Sequence, residues 1–189
     1  MKNVYLEEYE KVKDTKDEFS ARCELVRIFS WAIPNDEMIS TICKHSPIVS
    51  IGCGTGYIER LVEDAGGDII PTDYISLGKK SYGFMKQWMS IKNMKHYEAV
   101  RFYQHRNILM SWPCYIEPSK KMRMRDFAYQ VAGLMSSGKI LIYVGEGPMG
   151  CTGSDAFHDY LNNNFEYLEQ INIPQWYGMH DCCEIYRKK

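Results

Sequence analysis

The sequence predicts an α/β fold, a three-layer sandwich in which helices cover a mostly parallel sheet, preceded by N-terminal helices. Short segments rich in β-branched residues, such as PIVSIG, alternate with segments whose apolar residues recur at helical spacing. The length of 189 residues fits one domain, residues 1–189. We expect a helical segment at 1–46 and the α/β core at 47–189.

The first 46 residues carry a helical pattern. Apolar residues recur at helical spacing in EFSARCELVRIFSWAI, and Pro34 ends this predicted helix. Asn35 or Asp36 can cap a second, shorter helix. Two or more helices therefore precede the first predicted strand.

A strand–helix–strand unit opens the core. PIVSIG predicts a buried strand, YIERLVEDAGG an amphipathic helix that ends at glycine, and DIIPTD a second strand. Pro71 has no N–H to donate to a neighbouring strand, so the second strand should lie near an edge of the sheet or already end there. The unit is a βαβ motif with parallel strands.

Residues 77–106 give weaker signals. The aromatic spacing from Phe84 to Met89 predicts a helix, and Ser90 to Lys92 predicts a very short third strand. Met94 to Phe102 predicts a further helix.

The remaining segments alternate again. NILMSW and KILIYVGEG predict two strands, separated by a helix whose face includes Ala128 and Val131. Ser154 or Asp155 can cap the next helix. FEYLEQINI and CCEIYR predict two final strands whose short link makes an antiparallel C-terminal hairpin.

The sharpest motif is SIGCGTG, at the turn between the first strand and its helix. Glycine permits a tight turn there, and backbone N–H groups at the start of the helix can bind ligand oxygens. A dinucleotide fingerprint would place its last glycine at position 57, which is Tyr57 in this chain. The GxGxG spacing therefore disfavours a nicotinamide-dependent oxidoreductase.

The segment VSIGCGTGYIERL resembles the first motif of class I S-adenosylmethionine-dependent methyltransferases. The resemblance implies a Rossmann-like fold, S-adenosylmethionine as cofactor and S-adenosylhomocysteine as product. In that family the loop curls around the amino-acid portion and ribose of the cofactor. The loop residues to which the resemblance gives cofactor contacts are Ser50, Gly52, Cys53, Gly54 and Gly56.

Three further residues complete the predicted cofactor site. Asp73 ends the second strand, where a carboxylate can accept both ribose hydroxyls of a nucleoside. Tyr74 follows it, and Ser111 ends the fourth strand, where the family's loop meets cofactor and substrate. One departure from the family lies at Ser50, because the family often has an acidic residue two positions before the first glycine.

Four residues are candidates for the chemistry of methyl transfer. Trp112 and Tyr115 fall in SWPCY, where amino-methyltransferases carry an Asp/Asn-Pro-Pro-Tyr-like motif, and could form an aromatic wall for a planar or cationic acceptor. Trp112 has no acceptor oxygen, which weakens a nitrogen-methylation interpretation. Glu146 could be a general base or substrate anchor, and His180 titrates near neutral pH. All four also fit packing or surface roles.

Composition limits the partners. The net charge of −1 gives no global attraction to nucleic acid, although the basic run KKMRMR at 120–125 could bind phosphate locally. The sequence contains no apolar run of membrane-spanning length and no zinc-type spacing among its seven cysteines, so we expect no membrane span and no metal. The N-terminus is highly charged and lacks the apolar core of a signal peptide, so we expect a cytoplasmic location. The scattered cysteines fit structural thiols in a reducing compartment.

The function predicted from the sequence is S-adenosylmethionine-dependent methyl transfer to an unidentified acceptor, with a small molecule favoured over a macromolecule. One alternative is a non-catalytic S-adenosylmethionine-binding protein that regulates or joins a complex. The other is a nucleic-acid or protein methyltransferase, which basic residues around the pocket would support.

Overall fold

The computed structural model describes residues 2–74, 83–114 and 126–189. The helices in these ranges are α1 (Val4–Val12), α2 (Glu18–Ile28), α3 (Asp36–Lys44), α4 (Tyr57–Asp64), α5 (His96–Phe102), α6 (Phe127–Leu134) and α7 (Asp155–Asn164). The strands are β1 (Ile48–Ile51), β2 (Ile69–Asp73), β3 (Lys92–Asn93), β4 (Asn107–Ser111), β5 (Ile140–Gly145), β6 (Phe165–Asn172) and β7 (Cys182–Lys188).

The described strands form one seven-stranded sheet in the order β3-β2-β1-β4-β5-β7-β6. The first five strands in this order are mutually parallel. Strand β7 inserts between β5 and β6 and runs antiparallel to both. The predicted α/β fold, with a mostly parallel sheet and an antiparallel C-terminal hairpin, is therefore confirmed.

Helices cover both faces of this sheet because successive residues of a strand point to opposite sides. Along β4, Ile108 and Met110 pack in a hydrophobic cluster with helices α5 to α7. Leu109, between them, packs in a second cluster with helices α1, α3 and α4. The alternation along one strand thus produces the three layers.

The N-terminal helices belong to the second of these clusters. Tyr5 of α1 is fully buried and stacks on Phe29, with 4.9 Å between the ring centroids. Its hydroxyl accepts a hydrogen bond from the indole N–H of Trp176 at 3.1 Å, and its backbone N–H donates to the Tyr57 hydroxyl. These contacts join α1 to helix α4 and to the link of the C-terminal hairpin.

Two predicted helix caps are present. The side chain of Asn35 accepts a hydrogen bond from the backbone N–H of Met38 at the start of α3. The Ser154 hydroxyl accepts one from the N–H of Phe157 at the start of α7. Both bonds satisfy N–H groups that have no partner within their own helix.

The segment before β3 differs from its prediction. The helix predicted from Phe84 to Met89 is wrong, because this part of the described range 83–114 is irregular. Its aromatic side chains make tertiary contacts instead: Trp88 stacks on Phe29, and its indole N–H donates to the carbonyl of Ile28 at 2.7 Å. The Trp88 backbone N–H donates to Thr55 in the glycine loop.

The third strand is short, as expected, but lies at Lys92–Asn93 rather than from Ser90 to Lys92. It pairs with β2 only at Thr72 and Asp73, beyond Pro71. Strand β2 therefore lies next to the edge strand β3. Pro71 comes before the residues of β2 that pair with β3, so its missing N–H does not interrupt that pairing.

Candidate functional site

A cleft that is open to solvent lies at the carboxyl ends of β1, β2 and β4. Ligands of open α/β sheets bind at this edge, outside the carboxyl ends of the strands. The cleft brings together several residues that the sequence singles out. Those that line it are Gly52, Cys53, Gly54, Asp73, Ser111 and Trp112.

The glycine loop forms the floor of this cleft. Gly52, Gly54 and Gly56 all have positive φ angles, of 74°, 58° and 76°. A Cβ built on Gly54 would lie 2.9 Å from a ring carbon of Phe84, so a side chain there would displace the ring. Gly56 precedes α4 as its N-terminal cap residue and is not part of the described lining. The loop is tight because it turns directly from β1 into a helix.

Asp73 ties the end of β2 to this loop. One carboxylate oxygen accepts a hydrogen bond from the N–H of Gly54 at 2.8 Å. Burial raises the pKa of the Asp73 carboxyl. A carboxylate has several acceptor positions, so this bond leaves capacity for ligand hydroxyls.

Tyr74, the next residue, has a different environment. Its side chain is 56% exposed, and its ring lies 5.5 Å from the Lys95 ammonium. It is not among the described residues that line the cleft. A contact between Tyr74 and the cofactor stays a prediction.

Ser50 lies beneath the loop rather than on the described cleft wall. Its buried hydroxyl donates to a carboxylate oxygen of Glu59 at 2.5 Å. Glu59, in the first turn of α4, does line the cleft and is only 1% exposed. Its second carboxylate oxygen has no hydrogen-bond partner among the described residues.

The part of the cleft around Glu59 and Asp73 is acidic. Burial raises the pKa of Glu59 to about 7, opposed by the hydrogen bond from Ser50. Burial also raises the pKa of the Cys53 thiol, and the nearby Glu59 and Asp73 carboxylates raise it further. Cys53 therefore stays a neutral thiol. Sequence reasoning missed Glu59, whose only signals were an acidic residue among apolar neighbours and the uncharged Ser50 nearby.

Two stacked tryptophans form part of the cleft wall. Trp112 follows β4 with a positive φ of 52°, and its ring stacks on Trp31 at 5.0 Å between centroids. Both rings line the cleft beside Ser111. The indole N–H of Trp112 donates to Asp181 at 2.8 Å, and burial raises the pKa of that carboxyl to about 7. Sequence reasoning missed Trp31 and Asp181, which reach this wall from distant parts of the chain.

Glu146 and His180 contact each other outside the described lining of the cleft. One Glu146 oxygen accepts the backbone N–H of His180 at 2.9 Å, and the other accepts that of Cys151 at 2.5 Å. Burial raises the pKa of Glu146, but these bonds outweigh it and hold the pKa below its usual value. A carboxylate with both oxygens engaged is a poor proton acceptor, so this geometry favours a role in holding two loops together. The His180 side chain is exposed.

Two of the predicted features, Tyr115 and the basic run, cannot be placed relative to the cleft, and two others concern metal and membrane. Tyr115 and the basic run at 120–125 lie outside the described residues. Within the described ranges, no group of three or more His, Cys, Asp or Glu residues is placed to hold a metal ion. Across those same ranges, no helix combines the length and apolar character that crossing a bilayer requires.

No protein-family model matches the chain, and no curated protein matches its sequence. Solved structures do match. Sp1610 of Streptococcus pneumoniae, proposed to be a tRNA (m1A22) methyltransferase, is 10% identical with a TM-score of 0.52, over 81% of this chain and 68% of that one.

Two further matches have bound ligands. The N-methyltransferase NodS of Bradyrhizobium japonicum WM9, in complex with S-adenosylhomocysteine, is 11% identical with a TM-score of 0.47, over 99% of both chains. The magnesium protoporphyrin IX methyltransferase ChlM of Synechocystis PCC 6803, with bound S-adenosylmethionine, is 12% identical with a TM-score of 0.47, over 82% of this chain and 77% of that one. The match to Sp1610, at 10% identity, concerns the fold alone. Together with the observed sheet order, it shows that this chain has the Rossmann-like fold found in S-adenosylmethionine-dependent methyltransferases.

Proposed function

We propose that this chain is an S-adenosylmethionine-dependent methyltransferase that holds its cofactor in the cleft above the glycine loop. The observation that carries the proposal is the charge of the cleft beside that loop. The lining that the structure describes includes Glu59 and Asp73 but no lysine, arginine or histidine. S-adenosylmethionine carries a sulfonium, an ammonium and a carboxylate group, and the resulting net positive charge suits an acidic site.

A dinucleotide fits the glycine loop less well. The N–H of Gly54, which could bind a pyrophosphate oxygen, already donates to the Asp73 carboxylate. An acid at the end of the second strand can hold ribose hydroxyls in either kind of cofactor. The difference lies in the GxGxG spacing of the loop, which departs from the dinucleotide fingerprint.

The stacked pair of Trp31 and Trp112 supports a planar or cationic small molecule as acceptor. Indole faces attract cations and bury flat rings, and both rings line the cleft. Methyl transfer is an in-line displacement at the sulfonium carbon, so positioning the acceptor supplies much of the catalysis. Trp112 would do this positioning, with Ser111 beside the cofactor.

A non-catalytic cofactor-binding protein is the second candidate. Both oxygens of Glu146 are bonded to backbone N–H groups, so the predicted base is already engaged. Such a protein would bind S-adenosylmethionine and show no turnover with any acceptor.

Calorimetric titration of the purified protein with S-adenosylmethionine, S-adenosylhomocysteine and NAD tests the proposal. We expect micromolar affinity for the first two, on the order of −8 kcal/mol, and no binding of NAD. A screen of planar amines and phenols with labelled S-adenosylmethionine then separates an enzyme from a non-catalytic binder. Binding of NAD alone would contradict the proposed cofactor.

A further inference from the structure

Glu59 is a buried acid to which the proposed methyl transfer gives no role so far. Its side chain lies in the first turn of α4, faces the cleft and is 1% exposed. One carboxylate oxygen is held by the Ser50 hydroxyl at 2.5 Å. The other has no hydrogen-bond partner among the described residues.

An unpaired carboxylate oxygen in a buried position is costly, because it has lost water and gained nothing in exchange. The cost is recovered when a ligand brings a donor, and most fully when that donor carries a positive charge. Within the described lining no cation is available to play this part. The arrangement therefore selects a cationic N–H donor on the ligand.

The glycine loop lies between two acids that differ in what they can accept. Asp73 already takes the Gly54 N–H and retains partial access to solvent, which suits neutral hydroxyl groups. Glu59 is deeper, and its second oxygen is unpaired, which suits an ammonium group. A ligand with a ribose at one end and an amino acid at the other matches this pair.

We propose that Glu59 is the anchor for the ammonium group of the cofactor's amino-acid portion, an inference that rests on the proposed function. Ser50 takes the place of an acid on β1 and supplies the hydrogen bond that fixes the Glu59 carboxylate. The charge thus comes from helix α4 and the orientation from strand β1. Glu59 is a binding residue and takes no part in the transfer step.

A pair of ligands isolates the amino-acid portion. S-adenosylhomocysteine and 5′-methylthioadenosine share the nucleoside and the thioether, but only the first has the ammonium and carboxylate groups. Calorimetry with both ligands is compared for the wild type and Glu59→Gln, since glutamine keeps an acceptor for the Ser50 hydroxyl. We expect Glu59→Gln to weaken S-adenosylhomocysteine binding by about 10- to 100-fold. Binding of 5′-methylthioadenosine should change by less than about threefold, because it offers Glu59 no ammonium.

Glu63→Gln is the matched control, because Glu63 lies one turn further along α4 with an exposed side chain paired to Arg60. It should leave both affinities unchanged. If Glu59→Gln weakens both ligands equally, or neither, the role of Glu59 is overturned while the cofactor assignment stands. If the wild type binds neither ligand, the proposed function fails and the inference fails with it.

Discussion

At the scale of single residues, Gly54 and Phe84 determine the shape of the glycine loop. Gly54 has a φ of 58°, a conformation that costs L-residues about 1–2 kcal/mol. Its missing side chain also makes room for the Phe84 ring, which closes over the loop. Two separate constraints, backbone conformation and contact, therefore act on one position.

Gly54→Ala should impose both costs, whereas Gly66→Ala imposes only the first. Gly66 has a φ of 90°, and a Cβ there would have nothing within 4 Å. We expect both variants to lose about 1–2 kcal/mol of unfolding free energy from the backbone. Only Gly54→Ala should also weaken S-adenosylhomocysteine binding, measured by calorimetry. Equal affinities in the two variants would show that Phe84 does not shape the cofactor site.

Asp73 is expected to hold the ribose. Asp73→Ala should weaken S-adenosylhomocysteine binding by about 1–3 kcal/mol, because charged hydrogen bonds to the hydroxyls are lost. Asp68→Ala is a suitable control, since Asp68 lies just before the same strand but pairs with Arg106 on the exposed side. An unchanged affinity in Asp73→Ala would contradict the ribose assignment.

At the scale of elements, helix α4 carries a carboxyl that titrates near neutral pH. Burial raises the Glu59 pKa to about 7, so the carboxylate that binds an ammonium forms as pH rises through that value. The groups facing it are Ser50 on β1, Asp73 on β2 and the Cys53 thiol in the loop. Burial also raises the pKa of the Asp73 carboxyl above its ordinary value, and the Cys53 thiol stays neutral.

The affinity for S-adenosylhomocysteine should therefore rise several-fold between pH 6 and 7.5 as Glu59 ionises. At higher pH, once the ligand's own amino group loses its proton, the affinity should fall again. Calorimetry at each pH checks this, with 5′-methylthioadenosine as the ligand that should show no such rise. A rise that persists in Glu59→Gln would assign the titration to another group.

The elements themselves were largely predictable, because regular periodicity produced them. The glycine loop, Asp73 at the end of β2 and the C-terminal hairpin all follow from local patterns. The structure of the segment from Phe84 to Met89 did not follow from its local pattern. Its apolar residues have helical spacing, but Trp88 stacks on Phe29 and the segment is irregular. Intrinsic preference loses to tertiary packing in such short segments.

The site was predictable only where one motif contained it. The Glu59 carboxylate is held at the cleft by a hydrogen bond from Ser50, which lies on strand β1. Trp31 joins the cleft lining, where it stacks on Trp112, a residue some eighty positions away in the chain. Glu146 carried a catalytic expectation from its place after β5, yet its oxygens bind two backbone N–H groups. Contacts between distant segments leave no local pattern.

At the scale of the whole molecule, the N-terminal helices and the cleft share one packing network. Tyr5 stacks on Phe29, and the carbonyl of Phe29 accepts a hydrogen bond from the hydroxyl of Thr55 in the glycine loop. The Tyr5 hydroxyl meets Trp176 from the C-terminal hairpin link. Loss of Tyr5 should therefore affect both the core and the glycine loop.

Tyr5→Ala should lower the free energy of unfolding by about 3–5 kcal/mol, as for other large aromatic truncations in a core. For a chain of this size the melting temperature should fall by about 10 °C. The loss should appear as one cooperative transition, because Tyr5 packs in the same cluster as strand residues such as Leu109. Thermal melting followed by circular dichroism measures it. Phe19→Ala, at a side chain that is 73% exposed, should shift stability by less than about 0.5 kcal/mol. A separate early transition in Tyr5→Ala, with the main transition unmoved, would mean that the N-terminal helices unfold independently of the sheet and do not support the cleft.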